Sequence, residues 1–129
     1  MITLGCGSIL ITDGRVLLVR RQNSSTFNEM WSNPGGKVEP KESVEDAVVR
    51  EMEEEVGVHV KILRRISDYE DCVAGKVIGR YTGYLVEVVK GEPRRKELEK
   101  IAEIKYFSLK KLPTNLAPYT KQYLRDLGY

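Results

Sequence analysis

From Val44 to Val56 the chain repeats apolar residues at helical spacing, but the face that should be buried turns acidic half-way along. No other segment restricts the fold as much. Ser43 with Asp46 three residues on is a capping-box pattern, and Gly57, directly after the last periodic residue, is a stop signal. At about 100° per residue, Glu51, Glu54 and Glu55 fall within an arc of roughly 100°, on the side that Val44, Ala47 and Val48 occupy one or two turns earlier. Burying unpaired carboxylates costs several kcal/mol or forces protonation, so something must neutralise them. Arg50 can pair with Glu54 one turn on, but one guanidinium cannot balance three carboxylates. A divalent cation is the natural complement, and ligands that are all oxygen favour Mg²⁺ or Mn²⁺ over zinc. On spacing alone, a solvated Glu-rich helix face competes with this metal site.

The rest of the chain is an ordinary globular sequence. Its 129 residues suit one domain with one core, and a net charge of +2 is too near balance to imply a nucleic-acid polymer or a membrane as partner. The charge is unevenly placed. Eight acidic residues from Glu39 to Glu55 stand against Lys41 and Arg50, whereas from Lys90 to Lys111 eight Lys or Arg residues stand against four Glu. An acidic block beside a basic one suits a cation holding a polyanionic substrate. Cys6 and Cys72 are the only cysteines and offer no disulfide framework; with no basic signal-peptide start and no long apolar run, the expected location is the cytoplasm.

Leu4–Thr12 and Val16–Arg21 read as a hairpin around Asp13-Gly14, followed by a polar loop from Gln22 to Met30 and a rigid bend from Trp31 to Gly36. Val58–Ile66, Lys76–Val89 and Ile104–Ser108 read as strands, and Pro118–Leu127 as a terminal helix. This pattern predicts an α/β fold, a mixed sheet between helices, with strand order left open. His59, between Val58 and Val60, should point away from its apolar neighbours, while Tyr81 and Tyr84 read as core or sheet-face residues rather than stacking platforms.

One stretch resembles a known family. Gly36, Glu42 after five residues, Arg50-Glu51 after seven more, then Met52, Glu54-Glu55, Gly57 and Val58 match every specified position of the Nudix box, residues 36–58. The preceding Trp31-Ser32-Asn33-Pro34-Gly35-Gly36-Lys37-Val38-Glu39 is similar to the usual approach to that box. The resemblance implies an α/β/α sandwich and metal ligation by Glu51, Glu54, Glu55 and the Gly36 carbonyl. Glu51 or Glu54 would then take a proton from the attacking water, and Arg50 would orient the carboxylates. Glu42 would contribute to the site or brace it, and as a residue near the helix start it also suits the macrodipole.

Substrate has to be read elsewhere. Gly91-Glu92-Pro93-Arg94-Arg95-Lys96-Glu97 resembles a segment of MutT-type nucleoside triphosphate pyrophosphohydrolases, which makes Glu97 the candidate fourth carboxylate, with Glu99 and Glu103 competing because the spacing to the next strand is longer. Leu112 to Pro118 resembles the segment in which those enzymes place a base-reading Asn, here Asn115, which also suits a turn or cap. Arg20 and Arg21 stand where the family often has a phosphate-touching Arg; Arg21, Lys37 and Asn115 are the candidate substrate contacts. The Pro expected in ADP-ribose hydrolases and the Tyr expected in dinucleoside polyphosphate hydrolases are absent from Asp71–Lys76. The resemblance therefore implies hydrolysis of a nucleoside triphosphate, oxidised forms included, to monophosphate and pyrophosphate. ADP-ribose or another nucleotide sugar is the alternative substrate, and a nucleotide-sensing module without turnover the alternative outside enzymes. A homodimer is an expectation from the family alone.

Overall fold

The computed structural model describes residues 1–24 and 27–129; Ser25 and Thr26, in the expected polar loop, lie outside the described residues. Strands β1 (Thr3–Thr12) and β2 (Arg15–Arg21) form a hairpin whose turn residues, Asp13 at φ 51° and Gly14 at φ 73°, take the left-handed conformation that a tight two-residue turn requires. Short strands β3 (Trp31–Ser32) and β4 (Gly35–Lys37) lead to helix α1 (Val44–Val56). Strands β5 (His59–Val73), β6 (Lys76–Lys90) and β7 (Ile101–Ser108) and helix α2 (Pro118–Asp126) complete the chain.

The sheet runs β3-β2-β1-β6-β5, with β4 also on β1 and β7 also on β2. It is mixed, because β1 and β6 are parallel while the other named pairs are antiparallel. Alternating residues of β2 feed two cores: Leu17 and Val19 pack with Ala47, Val48, Met52 and Val56 of α1, and Val16 and Leu18 pack with Tyr123 and Leu124 of α2. The expected α/β/α sandwich follows from that alternation.

Helix α1 begins and ends as its sequence requires. The Ser43 hydroxyl accepts from the Asp46 amide at 3.0 Å, and Gly57 stops the helix at φ 72°. His59 is exposed between buried Val58 and Val60. Several expectations change. Strand β7 begins at Ile101 rather than the expected Ile104, because Ile101 pairs with Arg21. The bend at 31–36 contains both short strands, held by β2 and β1 rather than by local pattern. Strand β5 runs seven residues past Ile66, because Ser67 to Val73 pair with β6 through to Lys76 and need no apolar face of their own at the end of the hairpin. Among the described residues, no helix is long and apolar enough to cross a membrane.

Candidate active site

The site arises where two strands part. β1 pairs with β2 only beside their connecting turn, at Ile11↔Val16 and Thr12↔Arg15, and beyond it the same edge of β1 pairs with β4 at Gly5↔Lys37, Cys6↔Gly36 and Gly7↔Gly35. Arg21, at the end of β2, reaches across the opening. A cavity of about 680 Å³ lies here, bounded by β1, the β4 loop, the acidic turns of α1 and part of β6 and α2.

Two guanidinium groups organise the acidic wall. Arg50 Nε and Nη2 donate to Glu42 at 2.7 and 2.9 Å, and Nη1 donates to Glu51 at 2.9 Å and Glu54 at 3.1 Å. Nη2 also holds the Lys37 carbonyl at 3.0 Å, which ties the β4 loop to the helix. The Arg50 bonds and a hydrogen bond from the Glu39 amide bring the Glu42 carboxyl down to about 2. Glu42 does not line the cavity; it braces Arg50.

Arg21 does the corresponding work at the last turn of the helix. Its Nη1 and Nη2 donate to the two oxygens of Glu55 at 2.7 and 3.3 Å, Nη2 also reaches the Gly35 carbonyl at 3.2 Å, and Nε reaches the Ser32 hydroxyl at 3.2 Å. The Gly35 amide donates to the same carboxylate at 3.0 Å. Burial opposes the charge on Arg21, but Glu55 more than offsets this and raises its pKa.

Glu51 remains the strained member. Its side chain is 12% exposed, and burial, followed by the charge of Glu55, pushes its carboxyl up to about 7 despite Arg50. A Cβ at Gly36 would come within 2.5 Å of that carboxyl group, so a side chain there would push Glu51 out of this corner. As they stand, the carboxylates face arginines rather than a common point, and the described residues hold no formed cluster of three His, Cys, Asp or Glu ligands. The corner still fits a hard divalent cation, since its donors are all oxygen and Glu51 is a crowded, buried carboxyl group that such an ion would hold ionised.

The NUDIX domain family model matches residues 2–127. The chain belongs to the Nudix family. This Nudix chain is 37% identical over 71 residues to a CTP pyrophosphohydrolase of Escherichia coli (strain K12), a match that covers 55% of the chain and 53% of that protein. It is 35% identical over 108 residues to an ADP-ribose pyrophosphatase of Methanocaldococcus jannaschii, covering 81% of the chain and 61% of that protein. It thus spans little more than half the length of these curated relatives. A solved MutT NUDIX hydrolase from Burkholderia pseudomallei superposes with a TM-score of 0.91 at 32% identity, over 98% of each chain.

Within this Nudix domain the expected site residues are only partly brought together. Gly36, Lys37, Arg50, Glu51, Glu54, Glu55 and Arg21 all line the cavity, although Arg21 is committed to Glu55 and the loop carbonyls instead of standing free. Asn115 does not line it: that exposed side chain donates to the Glu29 carbonyl at 3.1 Å. Glu97, Glu99 and Glu103 do not line it either. The Glu97 carboxylate lies 3.5 Å from Lys100 Nζ, in a segment where the amides of Arg94, Lys96 and Glu97 donate to the carbonyls at the end of α1, and Glu103 lies 3.6 Å from Arg20, its partner across the β2–β7 pair.

The expectation for the tyrosines divides. Tyr84 is core at 5% exposure, whereas Tyr81 lines the cavity together with Phe27 and Tyr119. One signal could have found that end of the site: Gly5 and Gly7 alternate along β1, and Gly79 and Gly83 along β6, which marks one face of a strand pair cleared for close approach.

Cys6 is buried where the core beneath α1 meets the cavity, and burial pushes its thiol up to about 12, while Cys72 is exposed near the β5–β6 turn. A thiol-specific chromogenic reagent at pH 8 should therefore titrate one thiol promptly in the native protein and two after denaturation. Two fast thiols would contradict the packing of β1 against α1.

Proposed function

We propose that this chain is a divalent-cation-dependent pyrophosphohydrolase that cleaves a nucleoside triphosphate, oxidised forms included, to the monophosphate and pyrophosphate. The observation that carries the reading is a single cavity joining crowded carboxylates at Glu51 and Glu54 to an aromatic end at Phe27, Tyr81 and Tyr119. A polyphosphate needs the first and a nucleobase suits the second. The similarity to the CTP pyrophosphohydrolase of Escherichia coli supports the same reading.

A bound Mg²⁺ or Mn²⁺ ion would screen the substrate's charge and acidify a water molecule. Glu51, packed on the Gly36 backbone, would hold that ion, and Glu55, fixed by Arg21, sets the position of the loop. Glu54 is 53% exposed and carries one ion pair, to Arg50, so it is the carboxylate free to take the proton of the attacking water. Lys37 and Lys100 line the cavity and offer positive charge to the phosphates.

ADP-ribose is the second reading, favoured by the relative from Methanocaldococcus jannaschii, which matches more of the chain. The displacement of Asn115 from the cavity also removes one reason to expect recognition of a purine edge. Hydrolysis of nucleoside triphosphates, oxidised purine triphosphates and ADP-ribose, measured with and without Mg²⁺ and with chromatographic identification of products, decides between them. Monophosphate and pyrophosphate from a triphosphate are expected, with activity abolished by chelation. Preferential cleavage of ADP-ribose would move the substrate, and turnover that survives chelation would overturn the cation-dependent site.

A further inference from the structure

Tyr81 is held in an unusual pose for a strand residue. It faces Gly5 across the parallel β1–β6 pair and follows Gly79 by two positions on its own strand. A Cβ at Gly5 would lie 2.7 Å from Tyr81 Cδ1, and one at Gly79 would lie 2.7 Å from its hydroxyl oxygen. The ring therefore lies down along the sheet over two positions that carry no side chain. Its hydroxyl donates to Asp71 at 3.3 Å, and Tyr69, its cross-strand partner, is near-parallel at 14° with centroids 6.2 Å apart.

The neighbouring rings stand up as walls. Tyr119 meets Tyr81 edge-on at 74° and 6.1 Å, and Phe27 meets Tyr119 at 81° and 5.3 Å. Tyr123, laid over Gly83, donates its hydroxyl to the Tyr81 carbonyl at 2.6 Å and fixes the strand beneath. A tyrosine needed only as filler would be buried as Tyr84 is. Tyr81 instead remains partly exposed on the cavity lining, where the glycines on both sides preserve its orientation.

We infer that Tyr81 is the platform on which the face of the substrate's nucleobase stacks, so that the enzyme separates base-bearing from base-free pyrophosphates by π contact; this rests on the nucleotide substrate proposed above. Contact through the ring face tolerates any base, because every base presents one.

The test compares kcat/KM for the fastest-cleaved of ATP, GTP, CTP and UTP with that for inorganic tripolyphosphate, in wild type, Tyr81→Leu and Tyr81→Phe. Tyr81→Leu is expected to lower the nucleotide-to-tripolyphosphate ratio about 10-fold, mainly through KM, and Tyr81→Phe to restore it. A ratio unmoved in Tyr81→Leu, with wild type active, overturns the platform while leaving the hydrolase reading in place. If wild type cleaves neither probe, the triphosphate reading fails and the platform is judged by equilibrium binding. Weaker binding of ADP but not of pyrophosphate in Tyr81→Leu upholds it, and equal effects on both overturn it. Gly5→Ala, which would lift the ring, is expected to reproduce the Tyr81→Leu ratio and guards against a folding defect peculiar to that variant.

Discussion

Arg21→Ala is expected to destabilise the protein by about 3–5 kcal/mol, the range found when one member of a buried ion pair is removed. Arg21 and Glu55 are 14% and 3% exposed, so truncation strands a buried carboxylate with the Gly35 amide as its remaining hydrogen-bond donor among the described residues. It also frees the Gly35 carbonyl and the Ser32 hydroxyl from the guanidinium, loosening the loop that presents Gly36. Denaturant melts of wild type, Arg21→Ala, Glu55→Gln and the double variant would measure this. The double variant should be less destabilised than the two single losses added together, since removing both partners strands no charge. A loss below about 1 kcal/mol in Arg21→Ala would place the pair among ordinary solvated ones, contrary to its burial.

Substitution of the strained carboxylate should separate stability from activity. Glu51→Gln is expected to keep the melting temperature or raise it, because a neutral side chain of the same shape relieves the crowding with Glu54 and Glu55, while Arg50 keeps Glu42. Activity should fall by about 10³-fold or more, the scale seen when a group essential to transition-state stabilisation is removed. Glu54→Gln should lose activity comparably with little change in folding, since that side chain is half exposed. Thermal melts with added Mg²⁺ give a readout that does not depend on turnover. The ion should raise the wild-type midpoint and do so much less in Glu51→Gln. Equal shifts in both proteins would remove Glu51 from the cation site, and a Glu54→Gln enzyme with undiminished turnover would remove Glu54 as the proton acceptor.

Helix α1 was legible in the sequence because its signals are local: Ser43, Gly57 and an apolar stripe that turns acidic all fall within fifteen residues. The same stripe showed that one guanidinium could not serve three carboxylates. What it could not show is that a second arginine, thirty-four residues upstream, takes Glu55. Arg21 reads equally well as a phosphate contact, since no periodicity reports where the end of β2 lies relative to the helix. Asn115 and Glu97 stand outside the cavity for a related reason. Both sit in irregular segments whose side chains are claimed by neighbours remote in sequence or by the local loop, Glu29 in one case and Lys100 in the other. The aromatic end of the cavity was hidden behind glycines, residues that announce space without saying what occupies it.

The parallel pairing of β1 with β6 joins residues 3–10 to residues 79–86. Contacts this distant in sequence require closure of a long loop before they return any stabilisation, so they tend to form late. The floor that carries Gly5, Gly7 and Tyr81 is made by this pairing, and α2 then closes the same face. On the ribosome, helix α1 with its carboxylates would emerge well before the proposed base platform exists. A nucleotide can therefore stabilise only the finished molecule, and protection from proteolysis by nucleotide should appear after the secondary structure has formed, not along with it.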